Sequence, residues 1–304
     1  MNSVLVLLST YNGQEFLREQ LESIYRQQGV EYHILVRDDG SEDATVSILK
    51  EYQSRYGKMT ICFGDNLGVV KSFYMLMEIA EKEFSKYDYY AFCDQDDIWL
   101  PSKLYNALIQ LHKFPKSEPS LYFCHRQLVD QTLRKLPTPL TKVKTTLAES
   151  IISNPSAGCT QVFNRNLLSM VLSYSPSFIS MHDSWVYRIC LSVNGNVYYD
   201  KHAYILYRQH SDNVVGGSSN VLKKIKRYYN SYLLNENIRY TTAKILLEGY
   251  RQYIPEHNKM VLEAITIYRD SLKNKIKLII NTEMRTSKFG ANVMFVISVL
   301  LGRF

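Results

Sequence analysis

The chain has no Cys-x-x-Cys pair, and its five cysteines, at positions 62, 93, 124, 159 and 190, stand apart. Zinc ribbons and thioredoxin-like redox motifs are thereby excluded. Three of the four cysteine gaps are 31 residues, yet the flanking sequences share nothing, so no repeat follows. An odd, scattered set on apolar segments predicts buried free thiols in a reducing compartment. GxGxxG and GxxxxGK[ST] are also missing, which removes the dinucleotide fold and the P-loop. The C-terminal apolar stretch, Phe289 to Leu301, has thirteen residues and includes Asn292 and Ser298. It falls short of the ~20 needed to span a bilayer. The N-terminus runs straight into an apolar strand without a basic n-region or cleavage site, so no signal peptide is expected.

What is present describes a globular enzyme-sized chain. Its 304 residues, 46% hydrophobic and 21% charged, can bury a substantial core. The net charge of +7 is uneven: residues 1–220 carry 21 Lys/Arg against 23 Asp/Glu, and residues 221–304 carry 15 against 6. The balances, −2 and +9, assign all the basic character to the C-terminal quarter and imply a distinct role there.

Ser3 to Leu8 is a continuous apolar run, as expected for a strand buried on both faces. Phe16, Leu17, Leu21, Ile24 and Tyr25 then recur at helical spacing. A second strand spans Tyr32 to Val36, a second helix about Ala44 to Tyr56, and a third strand Met59 to Phe63. A third helix is marked by Val69, Phe73, Leu76, Met77 and Ala80, and Tyr89 to Cys93 is a fourth strand. Strands alternating with amphipathic helices argue for a parallel α/β sheet with right-handed crossovers.

Asp94, Asp96 and Asp97 follow the fourth strand, just before Pro101 opens a helical segment. Three repelling acids at a strand end suit Mg²⁺ or Mn²⁺, which bind through a few carboxylates plus substrate phosphates. A solvated acidic turn capping the next helix accounts for them equally well in isolation. The other strand ends decide between these. Ser9-Thr10-Tyr11, Asp38-Asp39 and Asn66-Leu67-Gly68 place hydroxyls, an aromatic ring, carboxylates and a glycine on the same rim. Ligands of such sheets sit beyond the carboxyl ends of the strands. The convergence indicates a nucleotide-plus-metal site.

Val-Leu-Leu-Ser-Thr-Tyr-Asn-Gly, Arg-Asp-Asp-Gly-Ser-Glu-Asp, Asn-Leu-Gly and Cys-Asp-Gln-Asp-Asp-Ile-Trp-Leu-Pro resemble, in order, the motifs of family 2 glycosyltransferases of the GT-A fold. The resemblance covers about residues 1–215 and implies a Rossmann-like, mostly parallel mixed sheet flanked by helices. It implies a GT-A domain over 1–220, with a nucleotide-binding half 1–114 and an acceptor-side half 115–220, and the charge balance sets off a basic helical extension over 221–304. It also implies that Tyr11 stacks on the base of a nucleotide while Ser9 and Asp39 hydrogen-bond it, with Asp38 structural. Asp96 becomes the direct metal ligand, Asp94 contacts ribose or metal-bound water, and Asp97 is structural or acceptor-side. Lys71 is either a phosphate contact or a solvated helix lysine.

Downstream, residues 127–147 read as a long polar loop, and strands are expected at Val197–Tyr199 and Tyr204–Tyr207. Met181-His182-Asp183-Ser184-Trp185 opens an apolar helix, where Asp or Ser is an ordinary cap. Family members often carry Glu-Asp here, the Asp being the general base; Asp183 matches and His182 departs. Tyr207-Arg208-Gln209-His210 precedes a Gly/Ser run at 214–219. The resemblance makes Arg208 a loop residue closing over the diphosphate and His210 a metal ligand. Val221 to Tyr229, and Lys273, Lys275 and Lys277 before Leu278-Ile279-Ile280, read as basic amphipathic helices. They suit peripheral attachment to an anionic leaflet or packing on the catalytic domain.

These motifs resemble the rhamnosyltransferase-type branch of bacterial surface-polysaccharide synthesis. The resemblance implies an inverting transfer from a dTDP- or UDP-sugar, dTDP-L-rhamnose above others, to a lipid-linked oligosaccharide, with Mg²⁺ or Mn²⁺. It places the enzyme in the cytoplasm, at the inner face of the membrane, with no nucleic-acid partner. A Mg²⁺ phosphohydrolase using Asp94 and Asp96, or a membrane-associated scaffold without activity, are the alternatives; the first leaves Tyr11, Asp39 and Asp183 without a role.

Overall fold

The computed structural model describes residues 3–140, 142–210, 230–234 and 237–304. The Gly/Ser run at 214–219 and the basic segment 221–229 lie outside the described residues. Strands β1 (Ser3–Thr10), β2 (Glu31–Asp38), β3 (Met59–Phe63) and β4 (Tyr89–Cys93) pair in parallel in the order β3-β2-β1-β4. Helices α1 (Leu17–Tyr25), α2 (Thr45–Tyr56) and α3 (Val69–Glu83) connect them, as the periodicity predicts. Val4 to Leu8 have no exposed surface. Val4, Val6 and Leu8 join one apolar cluster with α1 and α2, while Leu5 and Leu7 join another with α3. Each such side chain contributes about 2 kcal/mol, so a polar residue anywhere in the run is costly.

Past β4 the sheet becomes mixed. The elements are β5 (Ile98–Trp99), α4 (Lys103–Leu111), β6 (Ser120–Val129), α5 (Leu147–Ile152), β7 (Gln161–Asn164), α6 (Arg165–Leu172), α7 (His182–Ser192) and β8 (Asn196–Arg208). β7 runs antiparallel between β4 and β6, and β8 lies parallel to β6 and antiparallel to β5. The sheet order is β3-β2-β1-β4-β7-β6-β8-β5. The two strands expected at 197–199 and 204–207 are one strand. Cys124 pairs with Asp200 and His125 with Ala203, so Lys201 and His202 bulge out between them. The polar bulge interrupts the apolar pattern without ending the strand. The stretch 127–147 is the expected loop from 130 onwards, tied back by Leu128 N donating to Thr138 Oγ1 at 2.9 Å.

The last quarter is helical as expected: a π-helical turn at Asn230–Leu234, then α8 (Ile238–Tyr250), α9 (Glu256–Ile267), α10 (Leu272–Ile280) and α11 (Phe289–Leu300). These helices pack on the helical layer of the sheet. Tyr250, Leu262, Phe295 and Phe304 share an apolar cluster with Leu168, Trp185 and Tyr187. Buried polar ends find partners across the seam: Tyr250 OH donates to Val171 O at 2.9 Å, and Asn258 Nδ2 to Leu191 O and Ser192 O at 3.0 Å.

Candidate active site

The site lies beyond the carboxyl ends of β1, β2 and β4, where the parallel half of the sheet meets the mixed half. At the end of β2, Asp38 accepts from Thr10 Oγ1 at 2.8 Å and from Ser41 N and Oγ at 2.9 and 2.6 Å. It shapes the turn. Asp39 is also buried, ion-paired with Arg37 and accepting from Leu67 N and Gly68 N, both at 2.9 Å. Gly68 sits at φ +79°, which L-residues rarely adopt, so glycine lets the chain turn both N–H groups of this pair onto one carboxylate. Asp39 therefore organises the Asn66-Leu67-Gly68 loop, a task its spacing did not disclose. Ser9 Oγ lies 2.7 Å from Ser72 Oγ on α3, and Lys71 beside it is exposed.

Tyr11 presents an exposed ring, and its backbone is held by Gln95 from the acidic turn. Tyr11 N donates to Gln95 Oε1 at 2.9 Å, and Gln95 Nε2 donates to Tyr11 O at 3.0 Å. A Cβ on Gly13 would lie 2.3 Å from Gln95 Oε1, so a side chain there would displace the Gln95 amide from Tyr11.

The three acids of the turn separate by environment. Asp96 Oδ2 is 2.7 Å from His210 Nε2, and the His210 ring packs against Phe16 at 5.1 Å. Asp97 is fully buried; Oδ1 accepts from Arg208 N at 3.1 Å, and desolvation first, then Asp96 and Asp94, hold its carboxyl well above the usual range. Asp94 is half-buried, its carboxyl pushed up to about 7 by desolvation and then by Asp96 and Asp183. Asp94, Asp97 and Cys159 each bring a donor atom within 4.8 Å of the others. Asp97 belongs to the wall of that corner, since it faces Arg208 and has no exposed surface. Asp94 and Asp96 are the accessible oxygen donors, with His210 alongside. The crowding of uncompensated carboxylates fits a divalent cation, and oxygen donors with one imidazole suit Mg²⁺ or Mn²⁺.

Arg208 does not stand free at the mouth. It is 2% exposed, donating to Asp96 O at 2.9 Å and to Gln131 O, ion-paired with Glu19 and lying over the Phe16 ring. In this structure it braces the acidic turn from behind. Lys103 is a second buried cation, its Nζ 3.4 Å from the centre of the Trp99 ring, and burial lowers its pKa.

On the opposite side, Asp183 lies in the first turn of α7, Oδ2 accepting from Gly158 N at 2.9 Å and Oδ1 from Ser184 N. The small-residue segment before β7 supplies that N–H. His182 turns away into the core, stacked on Phe73 at 3.9 Å and edge-on to Phe92 at 4.8 Å. Neither of its ring nitrogens has a hydrogen-bond partner among the described residues, and desolvation lowers its pKa to about 4.

The structure thus brings Asp183 and Asp96 near Asp94, sets His210 on Asp96, and ties Tyr11 to the same acidic turn through Gln95. Gln95 and Arg37 lie inside the quoted motifs, but their supporting roles, like those of Gly158 and Cys159, were not assigned, because they depend on contacts between segments far apart in sequence. A sheet of this order, with its acidic turn at the junction of the two halves, has the GT-A fold. The chain belongs to the family 2 glycosyltransferases, described as Glycosyl transferase family 2, whose profile matches residues 5–166. The dTDP-rhamnosyl transferase RfbG of Shigella flexneri is 30% identical over 238 residues, 72% of this chain and 77% of that protein. An uncharacterized glycosyltransferase of Rickettsia typhi is 23% identical over 236 residues, covering 76% and 71%. Among solved structures, S. aureus TarS 1-349 in complex with UDP-GlcNAc matches with a TM-score of 0.60 at 18% identity, over 98% of this chain and 82% of that one. The mannosyltransferase PcManGT of Pyrobaculum calidifontis, in complex with GDP-Man and Mn²⁺, matches at 0.55 and 15% identity, over 99% and 86%. At such identities these structures establish the fold alone. Family membership sets aside the phosphohydrolase and the inactive scaffold.

Proposed function

We propose that this enzyme transfers L-rhamnose from dTDP-L-rhamnose, with inversion, onto a saccharide acceptor carried on a lipid, in the synthesis of a bacterial capsule, cell-wall or O-antigen polysaccharide. The observation that supports the reaction type is the nearness of Asp183 to Asp94, whose carboxyl it helps to raise. The 30% identity to a dTDP-rhamnosyl transferase supports the donor. The enzyme works at the cytoplasmic face of the membrane, with residues 1–220 as the catalytic domain and 221–304 as its extension.

Tyr11 stacks on the thymine, and Ser9 and Asp39 line the base. Lys71 meets the diphosphate, and Arg208 holds the turn on which it rests. Asp96, Asp94 and His210 hold a divalent cation, which when bound offsets charge on the departing diphosphate. Asp183, kept in place by the Gly158 N–H, takes the proton of the acceptor hydroxyl as its oxygen bonds to the anomeric carbon. The bond from that carbon to the diphosphate breaks on the opposite face, which inverts the centre.

Isothermal titration and donor hydrolysis with dTDP-rhamnose, UDP-glucose, UDP-GlcNAc and GDP-mannose, each with Mn²⁺ and with EDTA, test the donor and the metal. The expected result is metal-dependent turnover of dTDP-rhamnose above the others; equal turnover in EDTA or preference for another sugar overturns the corresponding part. Asp183→Asn should keep donor binding and lose transfer, and unchanged transfer would remove Asp183 as the base.

A further inference from the structure

The hairpin of α10 and α11 has an apolar outer face that nothing in the described structure covers. Lys275 Nζ donates to Leu300 O at 2.8 Å, linking the start of α10 to the end of α11, so the helices lie side by side and antiparallel. Their inner faces are fixed: Leu278, Ala291, Phe295 and Val299 are buried in the core. On the outer face, Leu272, Ile276 and Ile280 recur every four residues along α10 and are 67%, 48% and 66% exposed. Phe289, Val293 and Ile297 do the same along α11, with Leu301 at its C-cap, and are 83%, 39%, 37% and 60% exposed. Helical spacing puts each set in a stripe on the side away from the core. Contiguous exposed apolar surface of this kind marks an interaction site.

The charges around it select the partner. Residues 272–304 hold six cations (Lys273, Lys275, Lys277, Arg285, Lys288, Arg303) and one acid, Glu283. Lys273 and Lys277 are exposed and flank the α10 stripe. A second copy meeting this face would bring its own lysine rim against the first. An anionic bilayer complements both features, taking the apolar stripe into the acyl boundary and the lysines at the headgroups. No helix among the described residues is long and apolar enough to cross a membrane, so the mode is lying on the surface.

We infer that the outer face of the α10–α11 hairpin docks the enzyme on an anionic lipid surface. The docking face is built onto the acceptor side of the site. Lys288 Nζ donates to Ser153 Oγ at 3.1 Å, Asn154 Nδ2 to Ser184 Oγ at 2.7 Å, and Gly158 N to Asp183 Oδ2. Docking there would keep the enzyme at the surface that carries such acceptors, and this purpose rests on the proposed lipid-borne acceptor.

Co-sedimentation of the full chain with phosphatidylcholine vesicles, with and without phosphatidylglycerol, tests it. Wild type should pellet only with the anionic vesicles and be released by salt. Ile276→Asp with Phe289→Asp, and separately Lys273→Glu with Lys277→Glu, should each lower the vesicle partition constant about tenfold or more. Their melting temperatures and metal-dependent donor hydrolysis should stay at wild-type values. Wild type remaining in the supernatant, or both variants partitioning like wild type, overturns the inference. A dimer in light scattering that Ile276→Asp/Phe289→Asp dissociates, without vesicle binding, overturns it in favour of a second copy. Loss of dTDP-rhamnose turnover with vesicle binding intact would instead count against the donor reading alone.

Discussion

Gln95 holds the backbone of Tyr11 from both sides, accepting from its N–H at 2.9 Å and donating to its carbonyl at 3.0 Å. The middle residue of the acidic turn thereby fixes the platform on which a base would lie. It couples two motifs that are 84 positions apart in sequence. Gln95→Leu removes both bonds while leaving the flanking acids in place. Two such bonds amount to about 2 kcal/mol, so the donor KM should rise roughly tenfold or more with kcat within a few-fold. Steady-state kinetics checks this, and an unchanged KM would separate the latch from nucleotide binding.

Asp39 predicts a different outcome from a residue that only touches the base. Its carboxylate is buried against Arg37 and receives two backbone N–H groups. Asp39→Ala strands the Arg37 charge and two donors, and breaking a buried pair costs about 3–5 kcal/mol. Urea unfolding without any ligand should show that loss. Wild-type stability in the variant would mean the pair is not holding the loop.

The buried imidazole of His182 gives a pH signature. Burial lowers its pKa to about 4 in the folded chain, while the unfolded chain protonates near the ordinary value of 6.5. Between those values the unfolded state binds more protons, so stability present above about pH 6.5 is lost as the pH falls towards 4. The effect is on the order of 3 kcal/mol. His182→Phe keeps the stack on Phe73 and removes the titration, so its melting temperature should fall less across this window. Parallel curves for the two proteins would place the acid sensitivity elsewhere.

Arg208 should behave as a brace. Its guanidinium reaches Asp96 O, Gln131 O and Glu19 at once, which the single ammonium of lysine cannot reproduce. Arg208→Lys should lose about 2 kcal/mol of stability. It should also weaken Mn²⁺ binding in calorimetry, because the Asp96 backbone is released. A variant with intact stability and metal affinity but a raised donor KM would restore the role of a diphosphate contact.

Much of the fold was legible in residue patterns. The run Val4 to Leu8 could only be a strand covered on both sides, and the helical spacing of Phe73, Leu76, Met77 and Ala80 could only be a helix over that strand. β5 and β7 were not legible: one has two residues, and the other carries the polar Gln161 and Asn164, whose Nε2 and Oδ1 find partners in neighbouring segments. The bulge at Lys201 and His202 hid the continuity of β8 for the same reason, since local polarity mimics a turn.

The linear chain by itself determined which chemistry gathers at the rim, because carboxylates and an aromatic ring at successive strand ends of a parallel sheet must share one edge. Only the tertiary structure decided how that chemistry is divided. Asp94, Asp96 and Asp97 are near-neighbours in sequence and differ only in what surrounds them: a half-buried corner near Asp183, an imidazole, and a buried wall closed by Arg208. Desolvation and long-range hydrogen bonds set those differences, and both come from residues distant in the chain. The same holds for the C-terminal helices. Their apolar periodicity was evident, but which stripe enters the core and which remains outside depends on the surface they pack against.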